Sequence, residues 1–141
     1  MSISSLVYPM AAMVVLTFVV VVRLFRSRVA AVRTGQIEAA YFRLYPGAVE
    51  EPEGTRKLSR HFTNLFEAPT LFYVACLAAM IVGVAGPVFL VLAWGYVGAR
   101  VVHAAVHLGG NRLRKRIAAY FASWLFLVAM WVTLVVVVAR R

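Results

Sequence analysis

The chain has 141 residues and a formal net charge of +10, and 63% of its residues are hydrophobic while only 14% are charged. Because a soluble domain is about 45–50% apolar and about 25% charged, this composition excludes a soluble globular domain. It also excludes a disordered chain, which needs low hydrophobicity. We therefore expect a single domain, over residues 1–141, that lies mainly in a membrane.

Four apolar stretches are each close to the ~20 residues that a helix needs to cross the hydrocarbon core of a bilayer. They cover residues 6–22, 62–82, 87–108 and 117–139. Each is far longer than a strand of a membrane β-barrel, so the sequence predicts an all-α, integral membrane four-helix bundle. The N-terminus has no basic region and no small-residue cleavage site follows it, so we expect the first span to be retained rather than removed as a signal peptide.

Basic residues are concentrated in two of the connections between these spans. Residues 23–61 and 109–116 together carry 12 of the 15 Lys and Arg residues. The positive-inside rule therefore predicts that both connections are cytoplasmic and that both termini lie outside. Since this arrangement accounts for the net charge, we expect membrane lipid and not nucleic acid as a partner. The first connection is too short for a core of its own, and we expect it to cap the cytoplasmic end with its acidic stretch, residues 50–53, in water.

Polar residues also occur inside three of the spans, where a charge near the bilayer centre costs about 2.5–3.5 kcal/mol. They are Asn64 and Glu67 in the second span, preceded by Arg60, then Arg100, His103 and His107 in the third, and Tyr120 and Ser123 in the fourth, preceded by Arg116. Spacings of three and four residues put each set on one helical face, and a rise of 1.5 Å per residue brings the sets to similar depths. We predict one polar cavity near the cytoplasmic end. Within it, Glu67 and Arg100 should form an ion pair that either pins two helices together or belongs to a ligand site.

The charges of this cavity indicate what it binds. Its cations outnumber its single glutamate, so the ligand should be anionic and able to form hydrogen bonds, as a small peptide-like anion is. The lipid-facing helices would deliver a second, apolar ligand from the membrane.

The three histidines and the single cysteine are the residue types that most often bind metals. His103 and His107 have an i, i+4 spacing that can chelate a metal, with His61 as a further ligand. However, they cannot both be axial ligands of one haem, and no Cys or Asp completes a coordination shell, so the sequence does not favour a metal or haem protein. Cys76 lies within an apolar span, and we expect it to be a small buried hydrophobic residue.

Together these residues resemble a known family, the membrane-associated proteins in eicosanoid and glutathione metabolism (MAPEG), which includes microsomal glutathione transferases, prostaglandin E synthase and leukotriene C4 synthase. The resemblance runs from about Arg23 to Tyr120 and also fits the rest of the last span. It rests on the motifs Asn-x-x-Glu at 64–67, Arg-x-x-His at 100–103 and Arg-x-x-x-Tyr at 116–120. Two positions depart from it. His107 replaces a frequent tyrosine, and Ile117 replaces a serine of the prostaglandin synthase, which counts against prostaglandin-type chemistry.

The resemblance implies a homotrimer that holds glutathione between neighbouring subunits, with Arg116 facing its sulfur and Arg23 contributing from the first helix. Combined with the polar faces above, it gives Arg116 and Tyr120 as candidate catalytic residues. The candidate glutathione-binding residues are Arg23, Arg60, Asn64, Glu67, Arg100, His103 and His107.

The expected function is a glutathione-dependent transferase or peroxidase acting on lipophilic electrophiles, with another small thiol as a possible co-substrate. The alternative is a non-catalytic membrane protein of the same fold that binds an anionic lipid or orders a membrane assembly. The sequence does not identify the natural electrophile.

Overall fold

A computed structural model describes residues 3–44, 50–84, 86–110 and 112–140, and every regular element in these residues is a helix. After a 3-10 turn at Ile3–Leu6, the helices are α1 (Val7–Arg33), α2 (Tyr41–Leu44), α3 (Glu53–Asn64), α4 (Ala68–Val82), α5 (Pro87–Leu108) and α6 (Leu113–Ala139). Helices α3 and α4 follow one another with only a short break and together form one span. The described residues therefore contain four helical units long and apolar enough to cross a membrane. The predicted all-α membrane architecture with four spans is confirmed.

Helix α1 is longer than the sequence predicted. It begins at Val7, near the expected start, but continues to Arg33 instead of ending at residue 22. The apolar stretch stops at Arg23, but no glycine or proline follows Arg23 until Gly35. The φ of Gly35 is 69°, a conformation that favours glycine. Much of the predicted connection 23–61 is therefore helical, and residues 45–49 of it lie outside the described part of the chain.

The second span is interrupted, where one continuous helix over 62–82 was predicted. Pro69 stands at the start of α4; it has no N–H, and its ring would collide with the carbonyl of residue 65 in a regular helix. The N–H groups of Leu65 and Phe66 instead bond three residues back, to the carbonyls of Phe62 and Thr63. Helix α3 therefore ends at Asn64. The expectation that Glu67 continues one regular helical face is wrong, because it lies in this break.

The remaining connections are short and make consecutive helices antiparallel neighbours. Gly83 ends α4 in the left-handed region, with a φ of 70°, and the N–H of Val84 bonds back to the carbonyl of Ala79 at 2.9 Å. Helix α6 begins at Leu113, earlier than the predicted residue 117. Helix α5 packs closely against α6, so closely that a Cβ at Gly95 would overlap the ring of Phe126.

The core between the helices is apolar and contains several small residues. The rings of Phe72 and Tyr96 stack with centroids 4.5 Å apart and planes 9° from parallel. Buried Ala75, Cys76 and Ala93 let the helices approach closely, which is typical of membrane helices. Cys76 is buried, as predicted. Large apolar side chains also cover the outside of the bundle, as a lipid environment allows.

A polar contact joins α1 to the start of α3. The hydroxyls of Ser27 and Thr55 are 2.7 Å apart, Arg28 lies 3.4 Å from Glu51, and Ser59 donates to Glu51 at 2.9 Å. The side chain of Glu51 is only 9% exposed. The acidic stretch 50–53 was predicted to lie in water, and for Glu51 this is wrong because it bonds both helices.

Replacing Glu51 with alanine tests this contact. The change removes the acceptor of both Arg28 and Ser59, so we expect the free energy of unfolding to fall by about 1–2 kcal/mol. It can be measured by denaturant unfolding in mild detergent, followed by tryptophan fluorescence.

Glu53→Ala is the matched control. Glu53 pairs with Lys57 at 2.7 Å within α3 and is 71% exposed, where an ion pair contributes little. Its unfolding curve should overlay that of the unchanged protein. Equal losses from the two variants would contradict a specific role for Glu51.

Candidate functional site

Helices α3, α5 and α6 enclose a groove of about 460 Å³, a volume typical of small-molecule sites. It is lined by Arg60, Thr63, Asn64, Glu67, His103, His107, Arg116, Ile117 and Tyr120. We call it the α3–α6 groove.

Seven of the nine candidate site residues line this groove. They are Arg60, Asn64, Glu67, His103, His107, Arg116 and Tyr120. Three separate spans contribute to it, so the polar faces recognised in the sequence do meet in one volume. Ser123 does not join them; it is buried, and its hydroxyl donates to the carbonyl of Tyr120 at 2.7 Å.

Arg100 lies behind the groove and is completely buried. Its Nη2 donates to the backbone carbonyl of Asn64 at 3.0 Å, while its Nε and Nη1 have no hydrogen-bond partner in the described part of the chain. The carbonyl is available because Asn64 is the last residue of α3, where helix carbonyls lack partners within the helix. A cation at a helix C-terminus is also favoured by the helix dipole.

The predicted ion pair between Glu67 and Arg100 is not formed. Both residues lie in the described part of the chain, no ion pair joins them, and Glu67 is exposed. Glu67 and Arg100 were predicted to meet because they lie at similar depths along the helix axis. The break before Pro69 instead turns Glu67 away from Arg100 and presents the Asn64 carbonyl to it. Glu67 therefore faces the groove without a bound arginine.

Arg23 lies in a different place from the other candidates. It is exposed on α1 and lines a second groove, of about 580 Å³, together with Arg26, Ser27, Gly54, Lys57, Leu58 and Leu108. Helix α3 contributes to both grooves, with Arg60 in the first and Lys57 in the second. Arg23 thus lines a groove separate from the one that contains Arg116.

A hydrogen bond ties α5 to the first turn of α6. His103 Nδ1 lies 3.2 Å from the backbone oxygen of Arg116. A carbonyl oxygen can only accept, so Nδ1 carries the hydrogen and donates it. The ring of Tyr120 is 5.7 Å from that of His103, one helical turn beyond Arg116. These contacts fix the start of α6 beside the groove.

All three histidines of the chain are buried and adjacent. The ring centroids are 5.5 Å apart for His61 and His103, 5.1 Å for His61 and His107, and 5.7 Å for His103 and His107. His61 was not predicted to belong to the polar cavity and was named only as a further ligand of a metal site that the sequence did not favour; the packing of α3 on α5 brings it to the other two. Thr63 and Ile117 were also missing from the predicted site; Thr63 lies three residues after Arg60, a spacing that would have indicated the shared face.

The electrostatics of the groove favour a negatively charged ligand. Arg60 and Arg116 line it against a single carboxylate, that of Glu67, and Arg100 adds a buried positive charge behind. Asn64, Tyr120 and the histidines supply hydrogen-bonding groups. Ile117 gives the groove an apolar wall.

Four apolar helices long enough to span a membrane, with a polar groove between them, define an integral membrane protein. The model of the MAPEG family matches residues 6–136, so the chain belongs to the MAPEG family. The family resemblance expected from the sequence is confirmed. Comparison with curated proteins gave no match, and comparison with solved structures gave none.

The absence of the Glu67–Arg100 pair in the described residues leads to a stability prediction. Glu67→Gln should leave the free energy of unfolding in detergent unchanged, because Glu67 is exposed and makes no ion pair with Arg100. Arg100→Ala is the contrasting variant: it leaves a cavity and deprives the Asn64 carbonyl of its donor, so it should destabilise the fold. A loss of about 3–5 kcal/mol in Glu67→Gln, the size expected for breaking a buried ion pair, would contradict the geometry described here.

Proposed function

We propose that this protein is a membrane-embedded, glutathione-dependent transferase or peroxidase that acts on lipophilic electrophiles. The observation that carries the proposal is the meeting of Arg60, Asn64, Glu67, Arg116 and Tyr120 in one groove of a MAPEG-family bundle. Glutathione, or another small thiol of peptide character, is the co-substrate.

The groove offers complementary groups for the peptide part of the thiol. Arg60 suits a carboxylate, since a guanidinium can donate two parallel hydrogen bonds to it. Glu67 suits the ammonium group, and it is available because Arg100 bonds the carbonyl of Asn64 instead. His103 and His107 add hydrogen-bonding positions on the α5 wall.

Arg116 is the residue that we propose for activating the thiol. A free thiol has a pKa of about 8.5, so most of it is protonated at neutral pH. Arg116 stands in the first turn of α6, where the helix N-terminus also favours negative charge. A hundredfold gain in thiolate requires about 2.7 kcal/mol, which is within reach of one partly desolvated guanidinium. Tyr120 follows one turn later and can donate its hydroxyl to the same sulfur.

The electrophile would reach the groove from the lipid. Ile117 lines the groove and is 44% exposed, so an apolar molecule can contact it from the outside of the bundle. In the transfer reaction, the thiolate sulfur forms a bond to the electrophilic carbon, and the leaving group departs with its electron pair.

We further propose a homotrimer with a site completed between subunits. Arg23 lines a separate groove in its own chain, which supports an arrangement in which Arg23 of one subunit serves the α3–α6 groove of its neighbour. Native mass measurement in mild detergent should give three copies.

The distribution of basic residues supports a cytoplasmic position for the groove, with both termini outside. We expect reporter fusions at either terminus to be active only on the outer side, and a reporter inserted near residue 110 to be active in the cytoplasm. A cytoplasmic C-terminus would overturn this orientation.

The proposed role of Arg116 predicts a specific kinetic change. Arg116→Ala should lower turnover roughly ten- to a thousandfold, because each 1.36 kcal/mol of lost thiolate stabilisation is a factor of ten. Thiol affinity should fall much less, since Arg60, Asn64 and Glu67 remain. Turnover, thiol affinity and thiolate absorbance can be measured on one detergent preparation.

Arg114→Ala is the matched control, because Arg114 is also in the first turn of α6 but does not line the groove. It should leave turnover and affinity nearly unchanged. Equal losses in both variants would mean that bulk charge matters rather than Arg116. An intact assembly that binds no thiol at millimolar concentration would favour the non-catalytic alternative.

A further inference from the structure

We propose that His61, His103 and His107 form a binding site for a divalent transition-metal ion of the Zn²⁺ class. This proposal does not rest on the thiol chemistry above. The chain has three histidines, and one nitrogen from each lies within 4.8 Å of the others at a single buried point.

The geometry is close to that of a three-histidine site. Zn–N bonds are about 2.0–2.1 Å, so ligand nitrogens on a tetrahedral ion are about 3.4 Å apart and these need to approach by at most about 1.4 Å. Side-chain rotation can supply this. His103 and His107 are one turn apart on α5, a spacing that suits two ligands on one ion, and His61 faces them from α3.

The hydrogen bonds around the histidines leave ligand atoms available. His103 donates its Nδ1 hydrogen to the carbonyl of Arg116, which leaves the lone pair on Nε2, and Nε2 is buried without a partner. Metal-binding histidines commonly have such a carbonyl partner, which fixes the tautomer. The backbone of Lys57 lies near His107, as the Arg116 carbonyl lies near His103, but it does not meet the geometry of a hydrogen bond.

Most ring nitrogens of the three histidines lack a hydrogen-bond partner among the described residues. Both nitrogens of His61, both of His107 and Nε2 of His103 are buried and have no hydrogen-bond partner among the residues that the structure describes. Burying polar atoms without partners is costly, and in proteins they are usually paired. One metal ion would use a nitrogen of each ring at once.

The surrounding charges determine how the ion would be completed. The charged neighbours of the three imidazoles are Arg100, Arg116, Lys57 and Arg60, all cations. They oppose a bare divalent ion and favour an anionic fourth ligand on it. His103 and His107 line the α3–α6 groove, so an anion in the groove can reach this position. Three histidines with one open position is the arrangement of reactive zinc sites rather than structural ones.

Cobalt substitution tests the site directly. Full-length protein, purified in mild detergent without a histidine tag, is titrated with Co²⁺, and the visible d–d bands of tetrahedral cobalt are recorded. We expect one Co²⁺ per chain, displaced by one equivalent of Zn²⁺. Addition of azide should change the spectrum, because the fourth position is open.

Two variants locate the bound ion. His61→Leu and His107→Tyr should each weaken Co²⁺ binding by at least about 100-fold, the upper range seen when only an outer-shell partner of a ligand is lost. His107→Tyr keeps an aromatic ring with a polar group, so it serves if His61→Leu does not fold. Cys76→Ala is the control and should bind Co²⁺ unchanged, because Cys76 is in the apolar core.

The outcomes separate this site from the thiol site. His61 does not line the groove, so His61→Leu should lose Co²⁺ and retain thiol affinity. Failure of the unchanged protein to give the cobalt bands, or Co²⁺ binding by both histidine variants as tight as that of the unchanged protein, would overturn the metal site and leave the thiol proposal untouched.

Discussion

The end of α3 at Asn64 is the constraint on which the rest of the site depends. Pro69 cannot continue the helix, so α3 stops and exposes its last carbonyl, and buried Arg100 of α5 donates to it at 3.0 Å. This bond holds α5 against the end of α3. The same break frees Glu67 for the groove, and the packing of α3 on α5 brings His61 to the other two histidines. The break before Pro69 thus sets where the Asn64 carbonyl and Glu67 lie relative to α5.

The buried Arg100 carries a cost that the apolar core must offset. A guanidinium out of water with two unpartnered donor atoms is unfavourable, and apolar packing around Phe72 and Tyr96 supplies the compensating stability. The functional effect is electrostatic. A fixed positive charge behind the groove raises the potential felt by any anion in it, and the charge cannot be lost because a guanidinium stays protonated. The groove is therefore prepared for negative charge before a ligand arrives.

Hydropathy alone predicted the four spans, because lipid exposure requires long apolar stretches. Residue spacing predicted that polar groups of three spans share one volume. The errors arose where a local backbone effect outweighed hydropathy. Pro69 and Gly35 are residues that end or interrupt helices, but the bounds of the spans were predicted from the apolar pattern and not from these two residues.

Other features needed the fold itself. The depth of Glu67 and Arg100 along their helices could be calculated, whereas the direction in which each side chain points could not. The approach of His61 to the other two histidines and the groove that Arg23 lines could not be predicted for the same reason, since both depend on how α3 and α1 are rotated about their axes. The burial of Glu51 could not be predicted, because its partners Arg28 and Ser59 lie on segments whose contact no local sequence pattern indicates.

The unequal helix lengths have a consequence for how molecules would enter the site. At 1.5 Å per residue, the 27 residues of α1 and α6 span about 40 Å, whereas the 22 residues of α5 span about 33 Å, close to the ~30 Å thickness of the hydrocarbon core. The charged last turns of α1 therefore extend into the headgroup region at the end where α5 stops. If α5 spans the hydrocarbon core from end to end, His107, one residue before its end, lies at the boundary between water and lipid tails. A polar molecule can approach this level from water along the bundle axis, and an apolar molecule can approach it from the lipid at the side. The polar molecule then does not have to cross lipid, and the apolar molecule does not have to cross water.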